Sequence, residues 1–348
     1  MSTPPKPDQH RQPGTPIPLV RANAFEPFVS FLNEIGAPVE RRLRQARVPV
    51  SLLDDPEALL PLFSAYRFVE LAARGEQMEA FGVVVGQRAT SFDRGDFGAV
   101  LQTCSTVYEF LRTGVRLIGE HNSGLGFWLK PEGEMIRVSQ YLKGSPAPGH
   151  SIVDLYTLVI TINTLRKILG PTWNPGEIRL LDGTDKFIGD PEIFGDAPMI
   201  TGQRQTSFTV SHALLQRPVP GSQDHLPQGT DRLLAASQPM PVDFKTSIEQ
   251  LVTSLLHNGY PNIGNIAKAS GMSLRTLQRR LAGEGLSYTG LVSASRSRLA
   301  RSWLAETDMP ISEIATLLGY DEPTNFARAF RRQTGISPSG YRRTQAQA

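Results

Sequence analysis

The chain has 348 residues, 40% of them apolar, which suits two ordinary globular cores better than one. Its single cysteine, Cys104, excludes an intrachain disulfide, and no stretch reaches the roughly 18 apolar residues of a membrane helix, so a soluble, cytoplasmic protein with no membrane partner is expected. The net charge of +3 hides an asymmetry: from Lys245 onward 13 Lys+Arg face 7 Asp+Glu, whereas the rest holds 23 against 26. A basic C-terminal third on an acidic body points to a polyanion as the partner of that third.

In chain order, residues 1–20, MSTPPKPDQHRQPGTPIPLV, lack the apolar run of a signal peptide and read as a disordered tail. FEPFVSFLNEIG (25–36) places Phe25, Phe28, Val29, Leu32 and Ile35 on one face and ends in Gly36, which predicts an amphipathic helix. PLFSAYRFVELAARG (61–75) predicts another. Cys104 lies in VLQTCSTVYEFL (100–111), an apolar stretch expected to be helical, where a packed cysteine behaves as a small hydrophobe. GFWLKPEGEMIRVSQ (126–140) alternates on both sides of PEGE and predicts a hairpin. VDLYTLVITINTLRKILG (153–170) reads as a helix and EIRLLD (177–182) as a strand. The region 21–215 is therefore an α+β domain without the regular strand series of a sugar-binding cupin barrel. Phe127, Trp128, Tyr141, Tyr156 and Trp173 are candidates to line an effector pocket, although such aromatics more often simply fill a core. Residues 216–244, with five prolines and no long apolar period, form a linker.

The region 245–345 contains an internal repeat. IAKASGMSLRTLQRRL (266–281) and IATLLGYDEPTNFARAF (314–330) each begin Ile-Ala and place a glycine, Gly271 or Gly319, five residues after the isoleucine. Each continues through a short polar turn into a second helix with apolar anchors four apart, Leu277 and Leu281 or Phe326 and Phe330. Glycine suits the turn because it takes positive φ without a Cβ clash, and Ala267 and Ala315 let the paired helices cross closely. Helix, glycine turn and helix make the helix-turn-helix signature. A plain helical hairpin would explain one copy, but not two copies with arginine on the exposed side of both second helices. Between them, YTGLVSASRSRLARSWLAET (288–307) predicts a long helix that fixes their relation.

On these residues the C-terminal region resembles the AraC/XylS family of bacterial transcription regulators, through GMSLRTLQRRLAGEGLSY, Arg296 with Ala300 and Leu304, and ISEIATLLGYDEPTNFARAFRRQTGISPSGYR. The resemblance implies an all-α domain whose two second helices enter the major groove of double-stranded DNA. By position, Arg275, Gln278 and Arg279 would contact bases from the first unit, and Thr324, Asn325 and Arg328 from the second. Arginine can pair with guanine O6 and N7, and glutamine or asparagine with adenine N6 and N7. Pro323, where relatives carry a polar residue, instead suits the first turn of a helix. Arg280, Arg331 and Arg332 are expected on phosphates. In SPSGYRR (337–343), Pro338 and Tyr341 are expected to seat the last helix. The N-terminal region more loosely resembles the arabinose-binding-type domain of such regulators, through GAPVERRLRQARVPVSLLDDP (36–56), LRKILGPTWNPGEIRLLDG (165–183) and LLQRP (214–218). That implies a small-molecule effector, not necessarily arabinose. It also implies RNA polymerase and a second copy, joined through the N-terminal domain, as partners. Activation is the commoner mode.

Catalytic readings find little support. His10, His121, His150, His212, His225 and His257 show no metal-ligand spacing, and no G-x-S-x-G elbow occurs. GEHNSGLG (119–126) has Leu125 where a phosphate-binding loop needs lysine. No cofactor and no metal are expected. The alternative is a DNA-binding repair or redox-sensing protein, which would use Cys104 as a thiolate.

Overall fold

The computed structural model describes residues 14–142, 147–184, 188, 191–221, 239–256 and 261–345. The chain divides into two compact units. One runs from Pro18 to Met240; the other begins at Pro241 and takes in residues 14–17.

The N-terminal unit opens with β1 (Leu19–Arg21), paired antiparallel with β2 (Leu59–Pro61). Residues 14–20 thus have defined structure, although the sequence reading placed them in a disordered tail; residues 1–13 of that tail lie outside the described residues. Helices α1 (Glu26–Glu34), α2 (Val39–Ala46), α3 (Leu62–Gly75), α4 (Phe81–Gly86), α5 (Gly95–Gln102) and α6 (Val107–His121) follow. After them come β3 (Leu125–Glu132), β4 (Met135–Leu142), α7 (His150–Leu169), β5 (Ile178–Leu181), β6 (Met199–Gln203) and β7 (Ser207–Ser211). The last five strands form one sheet in the order β3-β4-β7-β5-β6, antiparallel except between β5 and β6. This is the expected α+β domain, with the expected hairpin turning at Gly133 (φ 60°).

Helix α7 partitions the interior. Leu155, Leu158, Val159, Ile162 and Leu165 face a core shared with the sheet, α5 and α6. Ile152, Tyr156 and Ile160 face a second core built by α1 to α4. A helix buried on nearly every side must satisfy its polar groups internally. Thr157, Thr161 and Thr164 do so by donating to Val153 O, Thr157 O and Ile160 O at 2.8, 2.8 and 2.6 Å. Helix α4 reaches α7 through glycine: a Cβ on Gly82 would lie 2.0 Å from Ile152 O.

Several boundaries differ from the sequence expectation. Cys104 sits in the turn between α5 and α6 and not within a helix, although it is buried as expected. The domain runs past residue 215, because Val107 N donates to Arg217 O at 3.0 Å and Val219 N to Ser105 O at 3.1 Å. Ile35, assigned to the apolar face of α1, is 42% exposed. Phe244, placed in the linker, is fully buried at the start of the next helix. Most of the linker, residues 222–238, lies outside the described residues, as do His10, His225 and His257.

The C-terminal unit is all-α: α8 (Phe244–Leu256), α9 (Ile263–Ala269), α10 (Leu274–Gly283), α11 (Tyr288–Glu306), α12 (Ile311–Leu317), α13 (Pro323–Thr334) and α14 (Pro338–Gln345). The long α11 lies between two helix-turn-helix pairs, α9–α10 and α12–α13. Arg298 Nη2 ties it to α8 by donating to Thr253 Oγ1 at 2.9 Å.

Candidate nucleic-acid interface

The two turns repeat atom for atom. In the first, Met272 N donates to Ala267 O at 2.8 Å and Gly271 takes φ 68°; in the second, Tyr320 N donates to Ala315 O at 2.9 Å and Gly319 takes φ 72°. Both alanines are buried, so each pair of helices crosses at a methyl group. The helices that follow start differently. Ser273 Oγ caps α10 by accepting from Thr276 N at 3.1 Å. Helix α13 has Pro323 in its first turn, as its position suggested, and Glu322 makes no side-chain cap.

Burial of Leu277 and Leu281 turns Arg275, Gln278 and Arg279 outward; burial of Phe326 and Phe330 does the same for Thr324, Asn325 and Arg328. Arg328 Nη2 donates to Asn325 Oδ1 at 2.9 Å, and Thr324 Oγ1 to Glu322 Oε2 at 3.1 Å, so the second face is partly pre-arranged. Arg331 and Arg332 are exposed near the end of α13. Arg280 behaves differently from the other arginines of α10. Its guanidinium lies 4.0 Å from the centroid of the Phe244 ring and donates to Thr15 O. Burial lowers its pKa. Its side chain is engaged inside the unit, away from the exposed face where spacing alone placed it.

Local spacing did not show what steadies the second turn. Arg296 Nη2, from α11, donates to Gly319 O at 2.7 Å, with the guanidinium 4.3 Å from the Tyr320 ring centroid. Gln333 Nε2 donates to Ser293 Oγ at 2.6 Å, tying α13 to α11. Pro338 is buried and Tyr341 stands edge-on to Phe330 at 5.5 Å, which seats α14 as expected.

The aromatic residues proposed for an effector pocket do not converge. Phe127 lines a cavity of about 40 Å³ and Tyr156 a second of similar size. Trp128 and Tyr141 pack on each other at 5.4 Å, and Trp173 packs against the sheet-side core; these three line neither cavity. Arg94, which sequence reasoning passed over, lines both, and His121, weighed there only as a metal ligand, lines the second. Burial raises the Cys104 thiol pKa, opposing the thiolate that repair or redox chemistry would need. Among the described residues no group of three or more His, Cys, Asp or Glu could hold a metal, and no helix is long and apolar enough to cross a membrane.

Residues 36–219 match the family model described as the arabinose-binding domain of AraC transcription regulator, N-terminal, and residues 266–344 match a helix-turn-helix domain model. The chain is 26% identical over 338 residues to the HTH-type transcriptional regulator VirS of Mycobacterium tuberculosis, covering 93% of this chain and 96% of the relative. It is 28% identical over 345 residues to the ornithine utilization regulator of Pseudomonas aeruginosa, with the same coverage of both chains. The crystal structure of the regulator CdpR from Pseudomonas aeruginosa aligns over 88% of this chain and 96% of its own at 23% identity, with a TM-score of 0.38.

Proposed function

Because the chain belongs to the AraC family of transcription regulators, we propose that it is a ligand-responsive activator whose α10 and α13 enter two successive major grooves of one operator. It is a DNA-binding transcription regulator. The observation that carries the finer reading is the repeated turn: two copies of one backbone device present two different exposed sets, Arg275, Gln278 and Arg279 against Thr324, Asn325 and Arg328. These side chains have the donors and acceptors that major-groove edges match. Arg331 and Arg332 supply phosphate contacts, which fix register without reading sequence. Arg280, held on Phe244, is left out of that set. The N-terminal domain takes the effector, and a second copy joins through it. RNA polymerase is the partner in activation, and the protein acts in the cytoplasm by binding and not by catalysis.

The test separates base from phosphate contacts. Arg279→Ala in the full chain is expected to cost roughly 1–3 kcal/mol on the operator and to relax preference at one base pair only. Arg332→Ala is expected to weaken operator and random DNA about equally. Equal losses on both DNAs for Arg279→Ala would remove it from the base-reading set.

A further inference from the structure

We propose that the N-terminal domain binds a small organic carboxylate with a short apolar body, its carboxylate seated between the Arg94 guanidinium and the His121 imidazole. The inference rests on the ligand-responsive reading and names the ligand class.

Arg94 enters α5 directly after a turn, and only 6% of it is exposed. It forms no ion pair with any described carboxylate. The adjacent Asp93 is committed elsewhere, with its carboxylate accepting from Thr90 N and Thr90 Oγ1, both at 2.7 Å. Arg94 Nε is buried without a hydrogen-bond partner. Its guanidinium lies 5.4 Å from the Tyr156 ring centroid and hydrogen-bonds the Tyr156 hydroxyl, contacts that attract the charge without neutralising it. A buried cation lacking a counter-charge is costly, and natural interiors rarely retain one without a use.

His121, the last residue of α6, is 1% exposed. Its ring stacks on Phe97 at 5.2 Å, and neither Nδ1 nor Nε2 has a hydrogen-bond partner. Burial first, then the nearby charges of Arg94 and Arg21, hold the imidazole neutral. A neutral imidazole offers one donor and one acceptor, both unused here. Arg21 is matched by Glu57 at 3.2 Å, so Arg94 is the uncompensated charge of the pair and calls for a monoanion.

The two hollows set the rest of the ligand. One, about 40 Å³, is lined by Arg94, His121 and Tyr156 with Phe25, Phe28 and Leu125. The other, also about 40 Å³, is lined by Arg94 with Phe97, Phe110, Phe127 and Val138. Arg94 and Thr157 belong to both, so the guanidinium stands between two small apolar spaces. A carboxylate there would accept from the guanidinium and from His121 while a chain of a few carbons entered a hollow, each being too small for a ring. A sugar would leave most of its hydroxyls without partners against these walls. The ligand class thus departs from the sugar in the family model's description.

The experiment follows thermal unfolding and operator binding of the full chain with straight-chain carboxylates from acetate to pentanoate, each beside its amide, and with benzoate as a carboxylate too large for either hollow. At least one carboxylate is expected to raise Tm saturably and to change operator affinity, while its amide does neither. Arg94→Met is expected to abolish the shift without lowering the ligand-free Tm, because it removes an unpaired charge. Should Arg94→Met fail to fold, Arg94 is a structural residue and the proposal falls. His121→Phe, which keeps the stack on Phe97, gives an independent measurement: carboxylate binding about tenfold weaker with Tm held. No shift from any carboxylate, or a shift that survives Arg94→Met or is unchanged by His121→Phe, overturns the proposal. An operator response elicited only by an uncharged or cationic effector would overturn it while leaving the ligand-responsive reading intact. A carboxylate that binds at Arg94 without changing operator affinity would support the site and count against that reading.

Discussion

The two domains put their polar residues in opposite places. Among the described residues, the C-terminal domain buries no charged side chain; its buried polar residues are Ser247, Ser295 and Ser297. The interior of the N-terminal domain holds Arg21, Arg94, Arg137, His121 and Asp154. A domain that reads DNA works through its surface, so its core can be filled with aliphatic and aromatic anchors. A domain that senses keeps ionisable groups inside, where low polarity makes a proton or a bound charge matter most. The stability of the first should follow packing and helix caps, and that of the second should follow pairing and pH.

The largest expected effect separates two buried arginines of the same domain. Arg137 Nε and Nη2 donate to Glu132 and Glu177, both at 2.7 Å. Lys130 and Arg179 still reach those carboxylates, at 3.3 and 2.9 Å, so the loss comes from the Arg137 hydrogen bonds and its buried side chain. Arg137→Ala is expected to cost about 3 kcal/mol in denaturant unfolding of the N-terminal domain, whereas Arg94→Met should cost nothing. Similar losses for the two would erase the distinction between a paired and a waiting cation.

Asp154 gives an effect of comparable size that depends on pH. Gln140 Nε2 donates to its Oδ1 at 2.8 Å and Thr206 Oγ1 donates to its Oδ2. Burial nevertheless outweighs both and raises its pKa from 3.8 to about 6. The folded state then keeps the proton up to about pH 6, while the unfolded state releases it near 3.8. This group's contribution is greatest at low pH and falls as pH rises from about 4 to 6, by roughly 3 kcal/mol. His121 acts in the opposite sense: its lowered pKa makes the fold lose stability as pH drops below about 6.5. The difference between wild type and Asp154→Asn isolates the carboxyl. It should show the wild type losing ground to the variant as pH rises through that window, and a pH-independent difference would mean that the carboxyl stays ionised in the fold.

The smallest effect lies within the reading domain. Ser273→Ala is expected to destabilise it by about 1 kcal/mol through loss of the α10 cap. Glu322→Ala should cost less in unfolding, because Glu322 gives α13 no side-chain cap. Equal costs would mean that the two copies start their second helices alike.

How much of this was legible in the sequence divides along the same line. The helix-turn-helix repeat could be read because its signals are local: Gly271 and Gly319 mark the turns, and apolar residues four apart mark the buried faces. Arg280 departs from its spacing because Phe244, 36 positions earlier, offers a ring that no local pattern reveals. In the N-terminal domain, α4 and α5 escaped notice because FGVVVG and GDFGAVLQ contain glycines that weaken a helical signal. Gly82 is there because α4 passes too close to Ile152 O for a Cβ. Strand β7, SFTVS, does alternate polar and apolar residues, but the run is only five residues long, and the burial of Ser207 and Thr209 beside Phe208 and Val210 is a property of the assembled sheet. Arg94 and His121 look like ordinary surface residues in sequence. Their interest arises only from burial without partners, which is a property of the assembled fold.

The most direct test of the central claim concerns spacing. Two recognition helices held by α11 in one chain should read half-sites about one helical turn apart, roughly 10–10.5 base pairs, in an asymmetric site. Inserting about five base pairs between the mapped half-sites turns one of them to the opposite face of the duplex. With the full chain, operator affinity is expected to collapse toward its level on random DNA. An insertion of about ten base pairs should recover little, since a helix does not stretch by a full turn of DNA. Full affinity with the five-base-pair insertion would contradict the account, because it would mean that a single helix-turn-helix unit carries the recognition.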